Sequence, residues 1–229
     1  KPSRNIRTIW SDSRVAIPAI SCGPIGSYRA VKTPPEQIGF GGGCHWCTEA
    51  VFQALRGVQD VAQGFVRSTP PHESWSEAVI VTFDPDEIDL ETLIEVHLRT
   101  HSSTSLHKMR GKYRSAIYGF GEDQQVRAST ALQALQAEFD EPLQTRVLSH
   151  EGFKASDTRF QNYYATDPER PFCRTYIDPK LKVLRERFAE NARVYPFAHG
   201  SGVYSSTNAV TFSEDISHGL SRCSPELRW

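Results

Sequence analysis

The pattern of hydrophobic and polar positions predicts alternating strands and helices over residues 37–192. Apolar runs and period-two alternation indicate strands, whereas apolar residues every three or four positions indicate helices. The helical repeat is clear in "DPDEIDLETLIEVHLRTH", through Leu90, Leu93, Ile94 and Leu98. The predicted strands are residues 38–41, 58–66, 77–84, 113–120 and 143–150, and the predicted helices are 44–55, one within 84–101, 122–139, 158–165 and 179–192.

The order of these elements predicts the fold class. A β-α-β-β-α-β succession is typical of the split β-α-β arrangement, in which helices cover one face of an antiparallel-rich sheet. We therefore expect an α+β protein, a two-layer α/β sandwich with a ferredoxin-like core and extra C-terminal helices.

The two ends of the chain lack a sustained period. Residues 1–35 are predicted to be an N-terminal extension, residues 36–194 a catalytic domain, and residues 195–229 a C-terminal tail rich in Gly, Ser, Thr and Asn. The first thirty residues contain several Arg and Ser and a single acid, which is compatible with a flexible arm or with the remnant of a transit peptide.

Composition and charge narrow the classes of partner. The chain has 229 residues, 38% of them hydrophobic, and a formal net charge of −1. Its basic residues are scattered, which disfavours nucleic acid and anionic membrane surfaces as partners, and no apolar run approaches the roughly 20 residues of a membrane span. We expect a cytoplasmic monomer without a bound cofactor, or an organellar protein if the first segment is a transit remnant.

The five cysteines are an odd number in a chain of medium length, which favours a reducing compartment over a disulfide framework. Two of them fall in the stretch "GGGCHWCTEAVF", at the predicted start of a helix. Backbone N–H groups and the helix dipole stabilise a thiolate there, so Cys44 is predicted to have a lowered pKa and to act as a nucleophile. Cys47 follows one turn later, close enough for a reversible disulfide.

Other readings of the cysteine pair stay open at this point. The two thiols are also compatible with small buried hydrophobic side chains, with a general thiol-disulfide oxidoreductase, or with two ligands of a zinc or copper site. A metal-binding module would draw further ligands from the histidines, of which His97 and His101 alone have regular helical spacing. The histidines considered are His45, His72, His97, His101 and His107.

Four motifs carry a family resemblance. "GGGCHWCTEAVF", "SEAVIVTFDP", "YRSAIY" and "FQNYYATDPERPFCRTYIDPKLKVLRERF" follow one another from about residue 37 to 192. In this order and spacing they resemble the methionine sulfoxide reductase A family, whose GCFWG hallmark corresponds to GCHWC here. The resemblance implies reduction of the S epimer of methionine sulfoxide, free or in proteins, or of a related small sulfoxide.

The resemblance also implies roles for individual residues. Cys44 would attack the sulfoxide sulfur, and Glu77, in "SEAV", would protonate the departing oxygen, since burial favours the protonated carboxyl. Trp46 would form the apolar wall that receives the substrate methyl group. Tyr113, in "YRSAIY", would donate a hydrogen bond to the sulfoxide oxygen.

Several positions depart from the family pattern. His45 stands where the family has phenylalanine, and it brings a hydrogen-bonding edge to the pocket wall. Phe65 keeps the ring of a family tyrosine and loses the hydroxyl. In "HKMRGKYRSAI" the family aspartate falls on Met109 or Lys108, so the substrate-facing rim has changed.

The remaining cysteines bear on how the enzyme is reset. A sulfenic acid on Cys44 must condense with a second thiol, and the resemblance offers Cys47 or, from the tail, Cys223. Cys173 and Cys22 are expected to be bystanders. Thioredoxin or another dithiol is the implied external reductant.

Overall fold

The computed structural model describes residues 32–193, which form a six-stranded sheet with five α-helices. The strands are β1 Glu36–Gly41, β2 Val58–Arg67, β3 Ser76–Phe83, β4 Ala116–Gly119, β5 Arg146–Ser149 and β6 Gly152–Ala155. The helices are α1 His45–Gln53, α2 Leu90–Thr100, α3 Glu122–Leu135, α4 Tyr163–Thr166 and α5 Asp178–Arg187.

The sheet is mixed, with the strand order β5-β4-β1-β3-β2-β6. Adjacent strands from β4 to β6 are antiparallel, and β5 runs parallel to β4 at the other edge. The antiparallel sheet and the helices that pack on it confirm the predicted α+β class. No helix within residues 32–193 has the length and apolarity to cross a bilayer.

The core lies between the sheet and the helices that connect its strands. The Phe40 ring of β1 stacks on the Phe52 ring of α1, with ring centroids 4.5 Å apart. Burial of a side chain of this size contributes about 1.5–3 kcal/mol. The largest fully buried side chains are Tyr118, Phe40, Phe52, Phe83, Ile38, Leu55, Leu90, Leu93, Ile94, Leu98, Ile117 and Ile177.

Helix α2 illustrates how the local sequence determines where a helix begins and which of its faces is buried. The side chain of Asp89 caps the helix by accepting a hydrogen bond from the Thr92 backbone N–H at 2.6 Å. Such a cap contributes about 1 kcal/mol. The predicted apolar face is buried, including Leu90, Leu93 and Ile94.

The predicted strand at 113–120 is shorter in the structure, because residues before Ala116 bond to the start of β3 instead. The Lys112 carbonyl accepts from the Glu77 backbone N–H at 2.9 Å, and the Arg114 backbone N–H donates to the Ser76 hydroxyl at 2.8 Å. These two hydrogen bonds bring Lys112 and Arg114 next to the start of β3, where Glu77 lies.

The C-terminal elements also differ from prediction. The helix predicted at 158–165 is a 3-10 turn at Thr158–Phe160 and the single turn α4, separated by Asn162, which has left-handed backbone angles (φ 54°, ψ 38°). A π-helical turn, Cys173–Ile177, leads into α5. Strand β6 was not predicted.

Candidate active site

The thiol of Cys44 is placed by the turn between β1 and α1. Strand β1 ends at Gly41, and a Cβ on Gly42 would lie 2.5 Å from the His101 ring, so only glycine fits there. Cys44 is the N-cap of α1 in an extended conformation (φ −61°, ψ 125°), and its carbonyl accepts from the Cys47 backbone N–H at 3.1 Å. The sequence prediction of a cysteine at a helix start is therefore confirmed.

The two thiols of α1 titrate as a pair. Both are free, and they are hydrogen-bonded to each other. That hydrogen bond lowers the pKa of Cys47, with further help from the charge of Lys180, and it raises the pKa of Cys44, as does burial. The predicted lowering of the Cys44 pKa is wrong: the N–H of Trp46 does lower it, but this effect is smaller than that of the neighbouring thiol.

Lys180 is a cation near the thiols that the sequence analysis missed. It lies on α5 and donates a hydrogen bond to the Thr100 carbonyl at the end of α2. Burial lowers the pKa of Lys180, and the two thiols act in the opposite direction because their negative charge favours the ammonium. Nothing in "DPKLKVLRERF" distinguishes this lysine from its neighbour Lys182.

Glu77 reaches the start of α1 from the sheet. It pairs with Phe65 across β2 and β3, so the two side chains lie on one face. The carboxyl is buried, and its Oε2 accepts a hydrogen bond from the His45 backbone N–H at 3.2 Å. This contact joins Glu77 to the residue after Cys44.

Two further groups face the Glu77 carboxyl. The Lys112 Nζ lies 3.4 Å from Oε1, and the His45 Nε2 lies 3.8 Å from Oε2. The site therefore holds a carboxyl with proton-exchanging neighbours on both oxygens.

Tyr113 lies beside this carboxyl. Burial raises its pKa, and a hydrogen bond from the Lys112 ammonium acts in the opposite direction. The Tyr113 hydroxyl also interacts electrostatically with Glu77 and Cys44. A neutral tyrosine here can donate a hydrogen bond to an oxygen placed between the thiol and the acid.

His45 and Phe65 form one wall of the site. Their rings meet edge to face, with centroids 5.3 Å apart. The His45 Nδ1 lies 2.8 Å from the Gly64 carbonyl oxygen, which fixes the orientation of the imidazole. Both residues were predicted to contact substrate, and the structure brings both to the Glu77 side of α1.

Trp46 forms an aromatic cluster on the other side. Its indole stacks on Tyr163 with centroids 4.1 Å apart and an interplanar angle of 5°. The edges of Phe172 and the ring of Phe160 complete the cluster, at 5.4 and 5.7 Å. The sequence predicted the tryptophan wall but missed its three partners, although "FQNYY" is rich in aromatic residues.

A second buried carboxyl, Glu49 of α1, holds this cluster in place. Its Oε1 accepts from the Asn162 backbone N–H at 2.8 Å, and its Oε2 accepts from the Tyr163 backbone N–H at 3.1 Å and from the Gln63 amide at 2.9 Å. Burial raises the pKa of Glu49, while these donors lower it. Glu49 thus fixes the backbone that carries Tyr163.

The structure groups all of the predicted site residues except Cys223. The grouped residues are Cys44, His45, Trp46, Cys47, Phe65, Glu77 and Tyr113. Cys173 is buried and donates to the Asp167 carbonyl at 3.5 Å, as expected of a structural thiol. Cys22 and Cys223 lie outside the described residues, so the role of Cys223 stays a prediction.

His97 and His101, at the C-terminal end of α2, form hydrogen bonds within the fold. Burial lowers the pKa of both residues, that of His101 to about 3, so both rings are neutral. His97 Nε2 donates to the Gly41 carbonyl at 3.0 Å, and His101 Nδ1 donates to the His97 carbonyl. Across residues 32–193, no three His, Cys, Asp or Glu side chains are grouped to hold a metal ion.

Comparison with known proteins places the chain in a family. The sequence profile of the family described as "Peptide methionine sulfoxide reductase" matches residues 36–192, more than half of the chain. The peptide methionine sulfoxide reductase MsrA of Deinococcus radiodurans is 35% identical over 174 residues, which cover 69% of this chain and 84% of that protein.

Solved structures agree at the level of the fold. Methionine sulfoxide reductase A of Corynebacterium diphtheriae aligns with a TM-score of 0.52 and 22% identity, over 58% of this chain and 76% of that one. Reduced Mxr1 of Saccharomyces cerevisiae aligns with a TM-score of 0.53 and 19% identity, over 64% and 94%. The sequence matches and the assembled site lead to one conclusion: the chain belongs to the peptide methionine sulfoxide reductase family and is an enzyme of the A type.

Proposed function

We propose that this enzyme reduces methionine (S)-S-oxide, free or in proteins, by transferring its oxygen to the Cys44 sulfur. The observation that carries the proposal is the position of Glu77: its buried carboxyl is bonded to the first N–H of α1, beside the Cys44 thiol. A nucleophile and an acid that share one small site meet the requirement of sulfoxide reduction.

In the first step, the Cys44 thiolate attacks the sulfoxide sulfur while the Glu77 carboxylic acid protonates the departing oxygen. The protonated oxygen leaves the substrate sulfur and bonds to the Cys44 sulfur, and the bond between the two sulfurs breaks. Methionine leaves, and Cys44 is then a sulfenic acid. Because the pair of thiols favours Cys47 as the thiolate, the Cys44 proton passes to Cys47 along their hydrogen bond as the attack begins. Tyr113 donates a hydrogen bond to the oxygen, and Trp46, His45 and Phe65 hold the methyl side.

In the second step, a second thiol resets Cys44. The Cys47 sulfur attacks the sulfur of the sulfenic acid, its S–H proton is released, and the S–OH bond breaks with protonation of the hydroxide to water. The products are one disulfide and one water. Lys180 assists by favouring the thiolate of Cys47. Cys223 is the alternative resolving thiol.

Recycling requires a dithiol, because the intramolecular disulfide must accept two electrons. We assign this role to thioredoxin or a comparable protein, which implies a reducing compartment such as the cytoplasm. The strand order β4-β1-β3-β2 supports assignment of residues 36–194 to a ferredoxin-like, two-layer catalytic domain.

Mass spectrometry on a single turnover tests the proposal. The fully reduced protein is incubated with each epimer of methionine sulfoxide, free and in a peptide, and with small dialkyl sulfoxides. We expect one thioether per protein from the S epimer and a Cys44–Cys47 disulfide. A reaction confined to a small sulfoxide would redirect the substrate assignment, in line with Met109 and Lys108, both exposed, standing where the family resemblance expects an aspartate. No thioether from any sulfoxide would overturn the proposed activity.

A further inference from the structure

The imidazole of His45 has a fixed tautomer. A carbonyl oxygen can only accept, so the Nδ1 that lies 2.8 Å from the Gly64 oxygen carries a hydrogen. The side chain is buried, and the edge-to-face contact with Phe65 holds the ring plane. The second nitrogen, Nε2, is therefore the one that gains and loses a proton.

This nitrogen faces the carboxyl that the proposed reaction uses. Nε2 lies 3.8 Å from the Glu77 Oε2, the same oxygen that accepts the His45 backbone N–H. A movement of less than about 1 Å brings the two atoms to hydrogen-bond distance, and such contacts commonly tighten when substrate binds. A phenylalanine at this position would offer the ring alone.

The surroundings of Glu77 limit how a proton can reach it. Its side chain is buried, and Lys112 covers Oε1 from the exposed side. The other titratable groups that face the carboxyl are Tyr113, hydrogen-bonded to the Lys112 ammonium, and the Cys44–Cys47 pair. Each of these is committed to binding oxygen or to the sulfur chemistry. The two nitrogen groups that face the carboxyl are therefore Lys112, which is largely exposed, and His45, which is buried with it.

We propose that His45 and Glu77 hold a common proton, and that His45 reloads Glu77 between the two steps of the cycle. The inference rests on the proposed function. After Glu77 has protonated the sulfoxide oxygen, the pair holds no common proton. The neutral imidazole then takes a proton from solvent at Nε2 and passes it to the Glu77 carboxylate.

The proton count is conserved. The reloaded Glu77 protonates the hydroxide that leaves the Cys44 sulfenic acid, and the Cys47 thiol releases its proton to solvent. One proton enters through His45 and one leaves from Cys47. The net reaction still converts one sulfoxide and two thiols to one thioether, one disulfide and one water. His45 acts through Glu77, as a positioning residue for the proton.

Two variants separate proton transfer from packing. His45→Phe keeps a ring against Phe65 and removes both nitrogens. His45→Asn keeps a donor for the Gly64 carbonyl and removes Nε2. The measurement is thioether and disulfide formation in a single turnover between pH 6 and pH 8, in the full-length chain with methionine (S)-S-oxide.

We expect both variants to lose rate preferentially at high pH, with the ratio of the pH 6 rate to the pH 8 rate rising about tenfold above wild type. In a Glu77→Gln background, His45→Asn should change this ratio no further. A wild-type ratio in His45→Asn would overturn the inference, because the Gly64 hydrogen bond alone would then suffice. A wild-type ratio in both variants would overturn it as well.

Nuclear magnetic resonance tests the inference without a measurement of turnover. In protein labelled with ¹⁵N-histidine, Glu77→Gln should move the His45 ring nitrogens toward the shifts of neutral imidazole at a fixed pH near neutrality, since the facing carboxylate is gone. Unchanged shifts would show that the two groups share no proton. Failure of wild type to form any thioether would instead reject the proposed function, and this inference with it.

Discussion

The chain contains the tripeptide Glu-Ala-Val twice, and the glutamates of the two copies have different roles. The first begins with Glu49 on α1 and the second with Glu77 on β3. Both carboxyls are buried, with exposed fractions of 1% and 7%. Burial alone therefore does not distinguish them, and the difference lies in their partners.

Glu49 is bound by donors that cannot exchange a proton. Two are backbone N–H groups, from Asn162 and Tyr163, and the third is the amide of Gln63. Glu77 has one such donor, the His45 N–H, and otherwise faces the ammonium of Lys112 and the His45 imidazole. A carboxyl held by fixed donors supports structure, whereas one with exchangeable neighbours is available for chemistry.

The largest effect is expected from Glu77→Gln. Loss of the general acid should slow thioether formation in a single turnover by about 10²–10⁴-fold. The amide keeps an oxygen for the His45 N–H, so the free energy of unfolding should change little. Rapid-quench kinetics and urea denaturation measure the two quantities.

An unchanged single-turnover rate in Glu77→Gln would remove this residue from its proposed role. A matched control is Glu87→Gln, which neutralises an exposed carboxyl after β3. This control should leave both quantities at wild-type values.

Glu49→Ala should have its main effect on the free energy of unfolding, and not on the rate of thioether formation. It leaves the backbone N–H groups of Asn162 and Tyr163 without their acceptor, and each such loss costs about 1–3 kcal/mol. The free energy of unfolding should fall by about 2–4 kcal/mol, and Glu49→Gln, which retains an oxygen, should lose less. Urea denaturation gives both values, and a fully stable Glu49→Ala would contradict the structural role.

Two lysines extend the contrast to the thiols: Lys112 lies beside Glu77, and Lys180 acts electrostatically on Cys47. The charge of Lys180 lowers the pKa of Cys47, so Lys180→Met should raise it. The pH at which iodoacetamide first alkylates the pair should therefore increase. Lys182→Met, an exposed position on the same helix, is the control. An identical alkylation profile in Lys180→Met would exclude this electrostatic role.

Lys112→Met should have the smallest effect. The ammonium is largely exposed, and interactions of exposed charges are worth about 0–1 kcal/mol. We expect a change of up to about fivefold in the single-turnover rate. A loss comparable to that of Glu77→Gln would mean that Lys112, and not Glu77, is the main proton donor.

The sequence predicted those features of the fold that depend on the local pattern of residues. The change of period gave the order of the central strands and helices, and the glycines before Cys44 indicated a turn into a helix. The family resemblance indicated Glu77 and Tyr113, which the structure brings near that cysteine. No periodicity would have separated Glu77 from Glu49.

Long-range contacts account for what the sequence did not predict. Which thiol of the pair has the lowered pKa depends on Lys180, about 130 positions away, and on the hydrogen bond between the thiols. The short strand β6 is defined by its pairing with β2, through contacts such as Gly64 with Ala155. The break before α4 is set by Asn162, whose N–H is held by Glu49.

The most direct test of the central claim is to locate the transferred oxygen. In the Cys47→Ser, Cys223→Ser double variant, the sulfenic acid has neither proposed resolving thiol and can be trapped with dimedone after one addition of methionine (S)-S-oxide. The account predicts a stoichiometric adduct on Cys44, with one methionine formed per protein. Methionine formation without an adduct on Cys44, or with the adduct on another cysteine, would contradict it.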